Sequence, residues 1–153
     1  MQLQSITFKE ISASDFKLSL KQKVYEKWQD EWNVLVNAVK TPLTEIISTV
    51  NKSKHFSNLT RFECMKFNRL RIGHTKFAKQ FLVLNEEPPF CFVCEVPLTV
   101  KHVLIECGNF FHERNRLFGP GDLGIKDLLG TDDIGSIKKV LQFFKDIDLY
   151  YDI

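Results

Sequence analysis

Apolar residues recur every three or four positions through the first third of the chain, the spacing of one face of an α-helix. The stripe consists of Phe16, Leu20, Val24, Trp28, Trp32, Leu35 and Val39. It predicts a long amphipathic helix that begins behind a cap at Ser14 or Asp15 and ends near Lys40, because Thr41-Pro42 is a helix stop. The two tryptophans lie one turn apart, and we interpret them as part of the core.

The same periodicity returns at the other end of the chain. Its apolar positions are Ile137, Val140, Leu141, Phe144, Ile147 and Tyr151. They predict a terminal amphipathic helix behind a cap at Ser136, and its apolar face must pack against another element. The acidic pair Asp132-Asp133 precedes this helix and is interpreted as favourable first-turn charge, not as a catalytic pair.

Shorter helices are predicted between these two. Thr60 and Glu63 have the spacing of a capping box, so a helix begins there and runs to about Ile72, where Gly73 breaks it. Thr75 caps a second short helix through Phe81. Further short helical segments are predicted at 43–50, 110–118 and 125–129. The fold class is therefore mostly α, a small helical domain with little or no sheet.

Three of the four cysteines lie in one short motif. Cys91, Cys94, His102 and Cys107 have the spacing C-x2-C-x7-H-x4-C. Three thiolates and an imidazole can complete a tetrahedron around one Zn²⁺, and four protein ligands leave no position for a reactive water. The spacing predicts one structural zinc ion in a CCHC zinc knuckle. Two alternatives are buried small residues with a hydrogen-bonded histidine, and disulfides in a secreted chain.

The spacing within the motif constrains the backbone. Thr99 is a plausible cap for a helix that carries His102. Cys107 lies five positions further on, which is about 140° around an ideal helix. The chain must therefore leave regular helix near Cys107, and Gly108 is placed to allow this. The predicted organisation is an irregular end at 1–14, a helical region at 15–82, the knuckle at 88–110 and C-terminal helices at 111–153.

Composition and charge narrow the function classes. With 153 residues, 44% hydrophobic and 26% charged, the chain has the size and balance of a globular protein. No apolar run approaches the roughly 20 residues of a membrane span, and no secretion signal is recognised, so we expect an intracellular protein of the cytoplasm or nucleus and no membrane partner.

Basic residues concentrate in the segment 52–79, which holds eight lysines and arginines against Glu63 alone. Such a block beside a zinc motif is typical of a phosphate-binding surface, although a solvated face has the same composition. The candidate contacts to nucleic acid are Arg61, Lys66, Arg69, Arg71, Lys76, Lys79 and Lys101. Phe90 and Phe92 are candidates for base stacking, with packing beneath the zinc turn as the alternative.

Several of these segments together resemble one known region. They are the run from Arg69 to Thr75, Pro88-Pro89, the metal motif with the run from Pro97 to Leu104, and the Trp28–Trp32 helix. The chain is similar over residues 15–151 to the C-terminal tail of non-LTR retrotransposon reverse transcriptases of the jockey-like and I-like groups, which carry a ribonuclease H domain before the tail. One departure is Glu95, where many knuckles have glycine after the second cysteine.

The resemblance implies a module that holds template RNA or target DNA, with Cys91, Cys94, His102 and Cys107 as its metal positions. The parent family is enzymatic, but the carboxylate clusters of a polymerase and of ribonuclease H are not recognised here, so we expect no catalytic residues and no enzyme. Binding is expected to have low sequence specificity and steep salt dependence. The alternative function is a helical protein-interaction module that docks on a polymerase or ribonuclease H partner.

Overall fold

The structure is a computed structural model that describes residues 12–50, 56 and 58–153. Most of the predicted irregular end, residues 1–11, and the first two lysines of the basic segment, Lys52 and Lys54, lie outside these residues. The helices are α1 Ala13–Ala38, α2 Pro42–Ile46, α3 Arg61–Ile72, α4 Lys76–Leu84, α5 Phe111–Phe118, α6 Ile125–Leu129 and α7 Ile134–Asp146. A π-helical turn at His102–Glu106 and 3₁₀ turns at Gly108–Phe110 and Tyr150–Asp152 complete the order.

The predicted mostly α class is confirmed, because the described residues contain no sheet. Phe90 and Pro97 form an isolated antiparallel bridge at the base of the cysteine turn. None of the described helices is long and apolar enough to cross a membrane.

Local signals place the ends of α3 as predicted. The backbone N–H of Glu63 donates to Thr60 Oγ1 at 3.2 Å, and the N–H of Thr60 donates to Glu63 Oε2 at 2.8 Å. Gly73 ends the helix in the left-handed region, at φ 68°. A Cβ there would also come within 2.9 Å of Pro42 Cγ, so this position requires glycine for two separate reasons.

The cap of α7 differs from the prediction. Asp133 caps the helix, with its Oδ2 accepting from the N–H of Ser136 at 2.7 Å, so the predicted Ser136 cap is wrong by three residues. The predicted apolar stripe is buried at Ile137, Val140 and Phe144. Tyr151 lies beyond the helix and is exposed, because the chain turns away after Asp146.

The core lies where α3, α6 and α7 meet. Its fully buried side chains include Phe67, Leu104, Phe143 and Phe144, and Val103 is equally inaccessible. Val103 and Leu104 come from the π-helical turn, between two predicted metal ligands. The candidate metal centre is therefore anchored directly in the hydrophobic core.

Helix α1 does not follow the prediction for its tryptophans. The helix is present, starting at Ala13 behind a Ser12 cap, but it contains no buried residue. Trp28 is 48% exposed, and Trp32 is half-buried with its Nε1–H donating to the carbonyl of Ile47 at 3.2 Å. The interpretation of this pair as part of the core is wrong. The C-terminal half of α1 rests on the segment after α2 through a face that half-buries Trp32 and leaves Trp28 exposed.

Candidate metal centre

A tight turn positions the first two cysteines. The N–H of Glu95 donates to the carbonyl of Cys91 at 2.8 Å, and the N–H of Cys91 donates to that of Val96 at 2.9 Å. Below them, the N–H of Leu98 donates to the carbonyl of Pro89 at 2.8 Å. These bonds fix a short hairpin that points both thiols toward the same side.

Glu95 closes this turn in a backbone conformation that residues with a side chain rarely adopt. Its φ is 57°, in the left-handed region. This is the position where many knuckles have glycine, and the sequence alone already singled it out as a departure. The turn holds this left-handed backbone even though the residue carries a Cβ, at a cost of about 1 kcal/mol.

The second half of the site is built on the π-helical turn. Thr99 Oγ1 accepts from the N–H of His102 at 3.0 Å, so the predicted Thr99 cap is confirmed. The N–H of Cys107 then donates to the carbonyl of His102 at 2.7 Å, five residues back. This wider turn brings Cys107 back beneath His102. The predicted departure from regular helix is correct, but the widened turn achieves it, since a Cβ at Gly108 would meet open space.

The four predicted ligands converge. One ligand atom from each of Cys91, Cys94, His102 and Cys107 lies within 4.8 Å of all the others. Cys107 Sγ is 3.7 Å from Cys91 Sγ and 3.9 Å from Cys94 Sγ. Sulfur atoms bound tetrahedrally at about 2.3 Å from one zinc ion are separated by about 3.8 Å. The sulfur positions therefore match a single tetrahedral ion.

A carboxylate lies close to the ring of His102. Its Nδ1 lies 3.7 Å from Glu106 Oε2, one helical turn away in sequence. Its Nε2 is buried and has no hydrogen-bond partner within the protein. A metal-binding histidine usually presents its other nitrogen to a carboxylate or carbonyl. Nε2 is therefore the candidate ligand atom of His102, and Glu106 is the carboxylate beside Nδ1.

The thiols perturb one another strongly. The adjacent His102 side chain, and then the backbone N–H of Cys94, lower the pKa of Cys91 to about 6. Burial, with further contributions from the adjacent cysteines, raises the pKa of Cys107 to about 11. Neighbouring thiolates repel one another in a buried site, so their joint ionisation requires a compensating cation.

Arg114 supplies part of the positive charge around the thiols, a role that no motif in the sequence indicates. Its guanidinium donates to the carbonyls of Val103, at 3.3 Å, and of Cys107. Burial lowers the pKa of Arg114, and the nearby Cys107 opposes that shift. Arg114 thus ties α5 to the π-helical turn. Glu106 was also missed, although its position four residues after His102 was a usable signal.

The predicted phosphate contacts separate into two groups. Arg61, Lys76, Lys79 and Lys101 are exposed.

The other three are held within the fold. Lys66 is only 3% exposed, and its Nζ donates to the carbonyl of Tyr150 at 2.6 Å. Arg69 donates to Ile153 O at 3.2 Å. Arg71 donates to the carbonyls of Leu129 and Thr131 at 2.7 and 2.9 Å. The expectation that Lys66, Arg69 and Arg71 face phosphates is therefore not supported, because their donors are engaged within the fold.

Three lysines border a cleft of about 230 Å³ between α2, α4 and the start of the π-helical turn. They are Lys40, Lys79 and Lys101, and the buried side of the cleft includes Ile46, Leu70 and Leu129. Lys101 Nζ lies 3.5 Å from Glu45 Oε2 and 3.9 Å from Glu106 Oε1, contacts that are half-exposed and therefore weak. Lys40 is a basic residue of this surface that sequence analysis did not select.

The aromatic residues of the knuckle face solvent. Phe92, between the two cysteines of the turn, is 99% exposed, and Phe90 is also exposed. The alternative in which these rings pack beneath the zinc turn is wrong for Phe92. His74 is exposed and lies outside the ligand cluster, while Cys64 is half-buried against the core.

Comparison with known proteins adds no relative: no family model, curated protein or solved structure matches this chain. The fold and the site define a small α-helical protein with one buried Cys₃His cluster, among the described residues, that has the composition and spacing to hold a metal ion.

Proposed function

We propose that Cys91, Cys94, His102 and Cys107 bind one structural Zn²⁺. The observation that supports this most directly is the convergence of three sulfurs and one otherwise unpartnered imidazole nitrogen within 4.8 Å. Zinc favours this donor set in a tetrahedral site. Four protein ligands occupy every position of a tetrahedron, so the proposed role of the ion is to stabilise the fold and not to activate water.

We further propose that the zinc-loaded knuckle binds single-stranded RNA or DNA with low sequence specificity. Phe92 is almost completely exposed on a turn whose backbone is fixed, which gives a rigid aromatic surface on which a base can stack. Exposed lysines around the adjacent cleft supply cations for phosphates. The resemblance to a retrotransposon reverse transcriptase tail agrees with this role, in which the module holds nucleic acid and performs no chemistry.

The test combines metal content with binding. Native mass spectrometry of the purified protein is expected to find one zinc per chain. Fluorescence anisotropy with labelled single-stranded RNA and DNA, from about 50 to about 300 mM salt, is expected to show binding that weakens steeply as salt rises. Absence of binding at the low end would overturn the nucleic-acid role while leaving the zinc assignment intact.

Two variants with matched controls localise the surface. Phe92→Ala is expected to weaken binding at least about fivefold, since base stacking contributes about 1–3 kcal/mol. Tyr151→Ala removes another exposed aromatic ring and should have no effect. Lys79→Gln should weaken binding and reduce its salt dependence, whereas Lys139→Gln, an exposed lysine on α7, should leave both unchanged.

A protein-interaction role is the second candidate. It is favoured by the exposed apolar residues of α1, which lie on a helix that fully buries none of its side chains. Docking on a polymerase or ribonuclease H domain would use this helix. It would leave the knuckle available for nucleic acid.

A further inference from the structure

Helix α1 presents two separate faces. The face that attaches it to the rest of the protein is formed by its half-buried residues Tyr25, Gln29, Trp32 and Val36. The N–H of Val50 donates to Gln29 Oε1 at 2.8 Å, and Trp32 donates to Ile47 O. These contacts hold the C-terminal half of the helix on the segment after α2.

The second face is apolar and open to solvent. It is formed by Phe16, Leu20, Val24, Trp28 and Leu35, which are between 44% and 60% exposed. Because each residue advances about 100° around a helix, this stripe lies roughly 120° from the attaching face. A partner can therefore cover the stripe without disturbing the contacts that hold α1 in place.

The charges along α1 are arranged in two blocks of opposite sign. The first half, residues 13–25, carries three lysines and one acid. The second half, residues 26–38, carries three acids and one lysine. A uniformly basic or acidic partner helix would match only one of these halves. A second copy of α1 running in the opposite direction matches both, whereas a parallel copy places like charges together.

The apolar positions have the same self-complementarity. In an antiparallel pair centred on Val24, that residue faces its own copy, Leu20 lies opposite Trp28, and Lys17 lies opposite Glu31. Lys17, Leu20, Trp28 and Glu31 all lie within about 40° of the direction of Val24 around the helix. A two-fold interface requires this reciprocity, in which each residue contacts a counterpart that contacts it in return.

We propose that the α1 stripe is a homodimer interface in which two copies of this chain pair their α1 helices antiparallel about Val24. The helix is about 39 Å long, and one helix face belongs to the small, transient class of interfaces. The dimer is accordingly expected to dissociate in the micromolar range. Pairing would place two zinc knuckles in one assembly, whether or not either binds nucleic acid.

Sedimentation equilibrium of the full chain tests the proposal, over concentrations from about 1 to about 200 µM. The weight-average mass is expected to rise from 17.9 kDa toward twice that value. Val24→Glu should remain at the monomer mass throughout. Ser19→Glu, an exposed substitution on the far side of α1, should dimerise like the parent protein. Far-UV circular dichroism and zinc content should be the same for all three proteins.

Charge reversal tests the antiparallel register. Lys17→Glu and Glu31→Lys should each weaken dimerisation roughly tenfold, because each occurs twice in the dimer and replaces attraction with repulsion. The double variant should restore most of the affinity. A monomer at about 200 µM, a dimer insensitive to Val24→Glu, or a double variant as weak as the single ones would overturn the proposal. Nucleic-acid binding is measured separately, so failure here leaves the proposed function untouched.

Discussion

Cys107 and His102 are joined by a backbone hydrogen bond of 2.7 Å that spans five residues instead of four. In a regular helix these side chains would point in directions about 140° apart. The widened turn removes that separation and brings both donors to one point. It also leaves Val103 and Leu104 directed into the core, so that the proposed metal ligation and the core packing depend on the same few residues.

Loss of a ligand is therefore expected to destabilise more than the knuckle. Cys94→Ser, or removal of metal by a chelator, should unfold residues 88–110 and loosen the core around Leu104, because a structural zinc site contributes on the order of 10 kcal/mol to folding. Thermal unfolding followed by circular dichroism should show a large loss of stability, with part of the helical signal retained by α1. Cys64→Ser is the matched control, since Cys64 lies outside the cluster, and it should keep one zinc per chain. Full zinc content in Cys94→Ser would contradict the ligand assignment.

Glu106 is expected to tune the metal without binding it. Glu106→Gln keeps the size of the side chain but removes the charge that faces His102 Nδ1. Loss of such a partner typically weakens metal binding by about 10- to 100-fold. Competition with a chromophoric chelator measures this affinity. Glu95→Gln, in the same knuckle but on the exposed turn, should bind zinc as tightly as the parent protein. Equal affinities for the two variants would argue against the role of Glu106.

Because the backbone at Glu95 is left-handed, two substitutions there are expected to change the free energy of unfolding in opposite directions. Glu95→Gly should raise the free energy of unfolding of the zinc-loaded protein by up to about 1 kcal/mol, because glycine adopts φ 57° without strain. Glu95→Val should lower it by more than about 1 kcal/mol, since a β-branched residue is strongly disfavoured there. Denaturant unfolding compares the two variants. Similar stabilities would mean that the turn does not hold this backbone conformation.

Lys66 is expected to contribute to the stability of the fold, and Lys79 to nucleic-acid binding. Lys66→Met leaves the partly buried carbonyl of Tyr150 without its donor and should cost about 1–3 kcal/mol of stability. Its effect on nucleic-acid affinity, measured on the folded protein, should be small. Lys79→Met should leave the unfolding midpoint unchanged and weaken binding. Reduced nucleic-acid affinity in a fully folded Lys66→Met protein would restore Lys66 as a phosphate contact.

Three cations of the basic segment, Lys66, Arg69 and Arg71, are engaged within the fold, which composition did not indicate. The density of lysines and arginines in residues 52–79 indicated an electrostatic surface, yet Arg71 reaches the carbonyl of Leu129, 58 positions away. Arg69 and Lys66 likewise reach the last residues of the chain. Composition records the number of cations, but the backbone carbonyls that engage them come from distant segments. Lys79 and Lys101, which remain exposed, could not be distinguished from these three by sequence.

The sequence by itself determined the features that depend on near neighbours. The capping box of Thr60 and Glu63, the glycine stop at Gly73, the Thr99 cap and the four candidate metal ligands all follow from spacing over short stretches of chain. There, local hydrogen bonds and donor chemistry decide the outcome. Tertiary structure decided which apolar stripe was buried. The stripes of α1 and α7 have the same period, but only α7 packs among α3, α5 and α6, while the stripe of α1 is exposed at every position except Trp32, which is half-buried. Periodicity specifies a face, and only the arrangement of the other helices determines whether anything covers it.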